Sequence, residues 1–490
     1  MMSVNEVREL ALSGNFRRIP VSRELYADRI TAIEVLRILR GVSKHCYLLE
    51  SVEDAKRWGR YTFLGYDPVL ELTCKNGNLV IRSREGKQEA KVPHPGEEIR
   101  KILKEYQSPR IAGMPTFTGG LVGYFSYDYI MYAEPSIKLD GRDEEGFQDV
   151  DLMLFDKVIA FDHFRQKLIL IANVDVKNLA ESYPQAVSQL EEMERLIRHG
   201  ERMPEKGLRL TSPLRPLFTR EEYCRMVERG KDYIREGDIF QVVLSNRFDA
   251  DMEGSLLDAY RVLRTTNPSP YMFYFTSDAI EIAGASPETL VKLTEGKLST
   301  FPLAGTRPRG KTGEEDAQME KELLADEKER AEHNMLVDLG RNDIGKISAI
   351  GSVKVERYME IEKYSHVMHI GSMVTGQIKD GLDGLDAVDA VLPAGTLSGA
   401  PKIRACEIIH ELEKNKRGIY GGAIGYLDFS GNLDVCIAIR LAFAKNGKVF
   451  VRSGAGIVAD SVPEKEYEEC LNKAKAVFDA LETAQKGDEL

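Results

Sequence analysis

Residues 271–310 read YMFYFTSDAI EIAGASPETL VKLTEGKLST FPLAGTRPRG, a succession of strand-like runs separated by short turns. Aromatic and β-branched residues mark YMFYFTS, EIAGASPETLVKL and KLSTFPLAGT as strands. IFQVVLSNRF (239–248) precedes them, and the first long helical pattern of this half, MEKELLADEKERAEHNMLVDLG (319–340), comes only afterwards. Many strands followed by helices, without a regular βαβ period, predict an α+β fold with helices packed outside sheets.

Upstream, residues 20–176 mix further strand-like runs (YTFLGYDPVLELTC, GGLVGYFSYDYIMY, KLILIANVDV) with short helical ones such as TAIEVLRILR, and a charged helical stretch, PQAVSQLEEMERLIRHG, follows. Pro204, Pro213 and Pro216 then interrupt a segment with little periodicity. The expected organisation is an N-terminal unit at 1–200, a linker at 201–217 and a C-terminal unit at 218–490. The second unit opens on Thr219 and Glu222 at capping-box spacing, with Tyr223, Met226, Val227, Gly230, Tyr233 and Ile234 on one helix face. GGLVGYFSYD at 119 is echoed by GGAIGYLDFS at 421, either by chance or as equivalent strands in two sheet layers.

The chain has 490 residues, 43% hydrophobic and 30% charged, with a net charge of −11. That deficit of cations argues against nucleic-acid binding, and an anionic ligand must find a local cationic pocket. Six scattered cysteines without a CxxC pair suit reduced thiols in the cytoplasm. No long apolar stretch marks a membrane span, and the first twenty residues lack a signal-peptide core.

Two acidic helices are candidates for chemistry. In residues 319–340, Leu323, Leu324, Ala331, Met335, Leu336 and Leu339 form a buried stripe, and Glu329 and Glu332 share another face. In SVPEKEYEECLNKAKAVFDAL (461–481), Ser461 and Glu464 have capping-box spacing, Tyr467, Leu471, Ala474, Phe478 and Leu481 face the core, and Glu466 and Glu469 stand three apart with Lys473 a turn on. Such faces are ordinarily solvated; the functional alternative is one carboxylate from each helix holding Mg²⁺. Three glycine-rich stretches, LAGTRPRG, GTLSGAPKIR and RSGAGIVAD, read as turns that bring backbone N–H groups to an oxyanion, with Pro401 aiming a helix N-terminus. None fits a P-loop or a dinucleotide fingerprint. His366 and His369 read as a metal pair or as structural histidines.

The motifs DIFQVVLSNRF, GASPETL, PLAGTRPRG, KERAEHNMLVDLGRNDIG, HVMH, GTLSGAPK, YGGAIGY, CIAIR, GAG and DSVPEKEYEECLNKA, in this order, resemble the chorismate-utilising enzyme family. Within it the chain is most similar to the members that form anthranilate. The resemblance implies an intertwined two-unit fold with stacked antiparallel sheets covered by outer helices and the active site in the C-terminal unit. It implies Glu332 and Glu469 as Mg²⁺ ligands, with Glu329 and Glu466 beside them. Gly305, Thr306, Thr396, Tyr420, Arg440, Gly454, Ala455, Gly456 and Lys473 would hold chorismate, Glu288 would be the general acid, raised by burial near other carboxylates, and His369 an active-site histidine.

The implied reaction adds ammonia at ring carbon 2 as the 4-hydroxyl leaves, then eliminates pyruvate. Isochorismate and salicylate synthases have a lysine where this chain has Gln241, which cannot activate water. Many aminodeoxychorismate synthases have a nucleophilic lysine where this chain has Ala304, so ammonia must attack directly. YLLES (47–51) and NPSPYMFYF (267–275) resemble a tryptophan feedback site built from Glu50, Ser51, Pro270, Tyr271 and Met272. With no Gly-x-Cys-x-Gly turn in the chain, the family expectation is a separate glutamine amidotransferase subunit. The competing readings are an aminodeoxychorismate synthase and a non-catalytic amino-acid sensor.

Overall fold

The computed structural model describes residues 1–51, 59–204, 206–363 and 367–487. Two large antiparallel sheets carry it. The first, of 13 strands, runs Arg18–Tyr26, Lys167–Asp175, Lys157–Asp162, Tyr61–Tyr66, Cys46–Glu50, Tyr271–Thr276, Glu281–Ser286, Leu441–Lys445, Lys448–Ile457, Gln241–Glu253 and Arg209–Leu210, with two short strands also on Gln241–Glu253. The second, of 12, runs Leu303–Pro308, Val367–Gln377, Lys297–Thr300, Thr289–Thr294, Leu433–Ile437, Ala423–Asp428, Gly120–Phe125, Val150–Phe155, Leu70–Lys75, Asn78–Ser83 and Gly86–Lys91, with Lys354–Lys363 beside Val367–Gln377.

Each sheet is continuous across the two halves of the chain, as the expected intertwined fold requires. Cys46–Glu50 pairs with Tyr271–Thr276, placing Glu50 opposite Met272. Gly120–Phe125 pairs with Ala423–Asp428, placing Gly123 opposite Gly425. The internal echo is therefore a pair of neighbouring strands in one sheet, not equivalent strands in two layers.

Between the sheets, Leu72, Leu121, Leu152 and Phe155 pack with Val291, Leu298, Ile424 and Val435. On the outer face of the first sheet, the helices Ala32–Val42, Leu179–His199, Leu257–Thr266 and Pro463–Ala484 bury Leu36, Leu190, Leu263 and Leu481. Each such side chain contributes about 1.5–3 kcal/mol relative to exposure. Strands covered on both sides need no alternation, which is why residues 271–276 are apolar almost throughout.

Thr219 and Glu222 form the expected reciprocal capping box on Arg220–Arg235. Residues 319–340 are divided between two helices, Gly313–Ala325 and Glu327–Ile347: Asp326 ends the first and caps the second, accepting from the N–H groups of Lys328 and Glu329. The stripe is broken with it, and Ala331 is exposed. Pro463 begins the last helix, but Val462 is its N-cap, so the Ser461–Glu464 box does not form. Ser461 instead accepts from the Val458 N–H.

Candidate active site

A cavity of about 500 Å³ opens where strands Gln241–Glu253 and Lys448–Ile457 of one sheet approach Leu303–Pro308 and Val367–Gln377 of the other. It gathers Glu288, Gly305, Thr306, Glu332, His369, Thr396, Tyr420, Arg440, Gly454, Gly456, Glu469 and Lys473, all named from the sequence, from nine separate segments. Ala455 does not line it. In strand Lys448–Ile457 successive residues face opposite sides, so Gly454 and Gly456 form bare floor while the Ala455 methyl joins the core behind.

Two of the glycine stretches expected as turns are strands. Gly454 pairs with Ser245, and a Cβ there would meet the Leu244 carbonyl oxygen at 2.5 Å; at Gly456 it would meet Gln241 Nε2 at 2.5 Å. Close packing selects glycine here. Gly305 lies in strand Leu303–Pro308 at a register shift between Ala304 and Arg307, with φ +66°. That is a β-bulge, which re-aims Thr306. The helix after Pro401 does not reach the cavity: its Lys402 turns to Asp343, and the only lining residues of that stretch are Thr396 and Leu397.

Glu288 sits between strands Glu281–Ser286 and Thr289–Thr294. Burial pushes its carboxyl up to about 7, partly opposed by the Thr396 hydroxyl, which donates to Oε1 at 3.2 Å, and by the charges of Arg440 and Lys473. Other carboxylates, expected to contribute, do not. His369 Nδ1 lies 2.7 Å from the Gly305 carbonyl oxygen and therefore donates to it, so the neutral ring carries its lone pair on Nε2. Burial lowers its pKa, and Arg440 adds to this. His366 lies outside the described residues. Arg440 itself has φ +51°, a strained backbone for a long side chain that sequence reasoning had no means to find.

The opposite wall is acidic. Glu329 and Glu332 from Glu327–Ile347 face Glu466 and Glu469 from Pro463–Ala484. Glu332 is raised by burial and by the charges of Glu329 and Glu469, and Glu466 by burial and Glu469. Lys473 Nζ lies 2.7 Å from Glu469. Lys328 and Arg452 also line the cavity and were not singled out from the sequence. Arg452 is buried behind the floor, where Glu413 accepts from it at 2.6 Å and from Arg417 at 2.6 Å. A single arginine inside an apolar strand carries no periodic signal, so this network was invisible.

A second cavity, of about 320 Å³, lies at the seam between the two halves and brings together Glu50, Ser51, Pro270, Tyr271 and Met272. The Glu50 carboxylate already accepts from Tyr260 at 2.6 Å and from Arg264 at 2.6 Å, making it a fixed wall. The Ser51 hydroxyl is buried and has no partner among the described residues.

The model of the chorismate binding enzyme family matches residues 44–479. The chain is 45% identical to anthranilate synthase component 1 from Acetivibrio thermocellus, covering 98% of each. It is 43% identical to that from Aquifex aeolicus, over 100% of this chain and 99% of the relative. Among solved structures it is similar to anthranilate synthase component I from Streptococcus pneumoniae, with a TM-score of 0.76 and 38% identity over 87% of this chain and 93% of that one. The menaquinone-specific isochorismate synthase from Escherichia coli shares the fold, with a TM-score of 0.70 at 19% identity over 97% of this chain and 98% of that one.

Proposed function

The chain belongs to the chorismate binding enzyme family, and from that premise we propose that it is the large subunit of an anthranilate synthase. The observation that carries this reading is the pairing, in one cavity, of a carboxyl held near neutrality at Glu288 with an acidic wall opposite. A carboxylic acid that still holds its proton near pH 7 can protonate a departing hydroxyl.

In this reading chorismate's carboxylates meet Arg440, Lys473, Tyr420, Thr306 and the bare backbone of Gly305, Gly454 and Gly456. Ammonia forms the new C–N bond at ring carbon 2, Glu288 gives its proton to the 4-hydroxyl, and water leaves. Loss of the proton at carbon 2 and cleavage of the enolpyruvyl C–O bond then release pyruvate and leave the aromatic amine. His369, oriented by the Gly305 carbonyl, faces the same space and is the residue assigned to the carboxylate or to this elimination. Ala304 offers no nucleophile and Gln241 no base, which supports direct attack by ammonia.

The acidic wall suits Mg²⁺. Glu332 and Glu466 are raised by burial first and by neighbouring carboxylates second, a repulsion that a divalent cation would relieve. The described residues contain no cluster of three or more His, Cys, Asp or Glu side chains able to hold a metal by themselves. Two glutamates, Glu332 and Glu469, would therefore share the ion with water and a substrate carboxylate, the ligation Mg²⁺ accepts. Bound there, the ion would offset charge that builds on the substrate carboxylate.

The orphaned Ser51 hydroxyl in an aromatic-lined seam supports the second cavity as a tryptophan site. A ligand there touches both halves of the chain, the arrangement from which inhibition can arise. Ammonia is supplied, in this reading, by a glutamine amidotransferase partner in a cytoplasmic complex; "component 1" in the relatives' names supports a second component.

Product analysis tests the assignment. Purified chain with chorismate, Mg²⁺ and ammonium at alkaline pH is expected to yield anthranilate and pyruvate in equal amounts, and none after chelation. Aminated product without pyruvate would move the chain to the aminodeoxychorismate branch, and no turnover would favour a sensor.

A further inference from the structure

Tyr271 holds the segment that carries Glu288 from both sides. On the upstream side its backbone is in register with Ser286. The Ser286 hydroxyl in turn accepts from the Glu288 N–H at 3.3 Å. On the downstream side the Tyr271 hydroxyl lies 2.9 Å from Thr289 Oγ1 and donates to Asp434 Oδ1 at 2.8 Å. A phenol has one proton, and Asp434, paired with Lys292 at 2.9 Å, receives it. The phenol oxygen is therefore the acceptor for the Thr289 hydroxyl.

The segment between these contacts is short and irregular. The Glu288 carbonyl accepts from the Ile437 N–H at 3.0 Å. Register against Leu433–Ile437 shifts between Thr289 and Val291, a bulge directly after Glu288. Bulges re-aim side chains at active sites and hold them only as well as their flanks are held. Consecutive residues of an extended segment point to opposite faces. Glu288 accordingly enters the large cavity, while Thr289 turns to Tyr271, a wall of the second one.

We propose that Tyr271 is a positioning residue for Glu288, fixing the proton donor through the Ser286 register on one side and the Thr289 hydroxyl on the other. The proposal rests on the reading of Glu288 as the acid. Tyr271 touches no reacting atom; it determines where the carboxyl sits relative to the substrate hydroxyl. Burial raises the phenol's pKa well above its ordinary value, so it remains a donor throughout the working range of pH.

Ammonia-dependent turnover of Y271F, T289V, T289S and the Y271F/T289V double variant tests this, alongside E288Q. Y271F and T289V are each expected to lower kcat about tenfold with chorismate KM within about twofold, since binding groups lie elsewhere and only the donor is misplaced. The double variant is expected to be no slower than Y271F, because T289V then removes only a contact that Y271F has already lost. T289S, which keeps the hydroxyl, is expected to restore most of what T289V loses. The alkaline limb of kcat against pH is expected to move to lower pH in Y271F as water reaches the carboxyl. A lowered melting temperature in Y271F with kcat and the alkaline limb unchanged overturns the proposal, and so does a hundredfold loss in the double variant, which would make the two residues independent. If E288Q itself turns over normally, the acid assignment fails and the proposal falls with it; if E288Q is inactive while Y271F behaves as wild type, only the proposal falls.

Discussion

The Thr396 hydroxyl donates to Glu288 Oε1 across 3.2 Å, joining residues 108 positions apart in the chain. Thr396 sits in the short 3₁₀ turn Gly395–Leu397, and its bond favours the ionised carboxylate while burial favours the acid. Burial prevails, and several measurable consequences follow from that balance.

Glu288 titrates at about 7 in the fold against an ordinary value of 4.5. The folded state thus keeps a proton that the unfolded chain has lost, so stability declines as pH rises between these values and stays lower above them. Glu288→Gln has nothing to ionise. It is expected to lose at least a hundredfold in turnover, to be more stable than the parent at pH 8 by on the order of 2–3 kcal/mol, and to match it near pH 4. Denaturant titrations at the two pH values check this; a pH-independent difference would refute the burial account.

Thr396→Val removes the donor that favours the carboxylate. The acid then titrates higher, and the pH above which turnover per unit of free ammonia declines is expected to move upward. A profile identical to wild type would mean that the bond is absent in the substrate complex.

Lys473 Nζ is 2.7 Å from Glu469, so in the proposed site the lysine would compete with Mg²⁺ for that carboxylate. Lys473→Met is expected to lower the half-saturating Mg²⁺ concentration two- to fivefold, the scale of a half-exposed pair. Half-saturating chorismate should rise about tenfold or more through loss of a charge-assisted bond. A Mg²⁺ titration monitored by both binding and turnover separates the effects; weaker Mg²⁺ binding would contradict the competition.

Ser51→Phe fills the second cavity and replaces a buried hydroxyl that has no partner among the described residues. On the proposed reading, calorimetry is expected to detect tryptophan binding to the parent and none to this variant, whose ammonia-dependent turnover should be insensitive to tryptophan. Retained tryptophan sensitivity would place the inhibitor elsewhere.

Glu413, Arg417 and Arg452 are almost fully buried, and two guanidinium groups share one carboxylate. Arg417 also donates to the carbonyls of Val243 and Leu397 at 2.6 Å, tying strand to turn beneath the cavity. Glu413→Gln leaves buried cationic charge uncompensated and is expected to cost about 3–5 kcal/mol. Chemical denaturation measures it, and a loss below about 1 kcal/mol would show that water or relaxation compensates.

Much of the site was legible because its residues stand in short motifs whose order survives without any folding. GASPETL, GTLSGAPK and CIAIR named Glu288, Thr396 and Arg440, and these converge on one cavity. Glycine was the least legible residue. At 454 and 456 it answers to a neighbouring backbone and a neighbouring side chain, and those clashes exist only after strands pair. The helix break at Asp326 was missed because a capping aspartate inside a charged helical pattern looks like one more surface acid.

The sequence by itself determined local structure and chemical inventory: which segments favour strand or helix, which residues can give a proton or hold a cation, and the absence of a water-activating lysine at Gln241. Tertiary structure alone decided that the echoed GGLVGYF and GGAIGYL strands lie side by side, that Glu288 enters the large cavity while Thr289 turns to Tyr271, and that Tyr271 reaches both sides of the acid. Propensity and motif act through neighbours in the chain, whereas pairing, burial and the pKa of Glu288 depend on groups brought from far away, whose positions become defined only when the two sheets close on their common core.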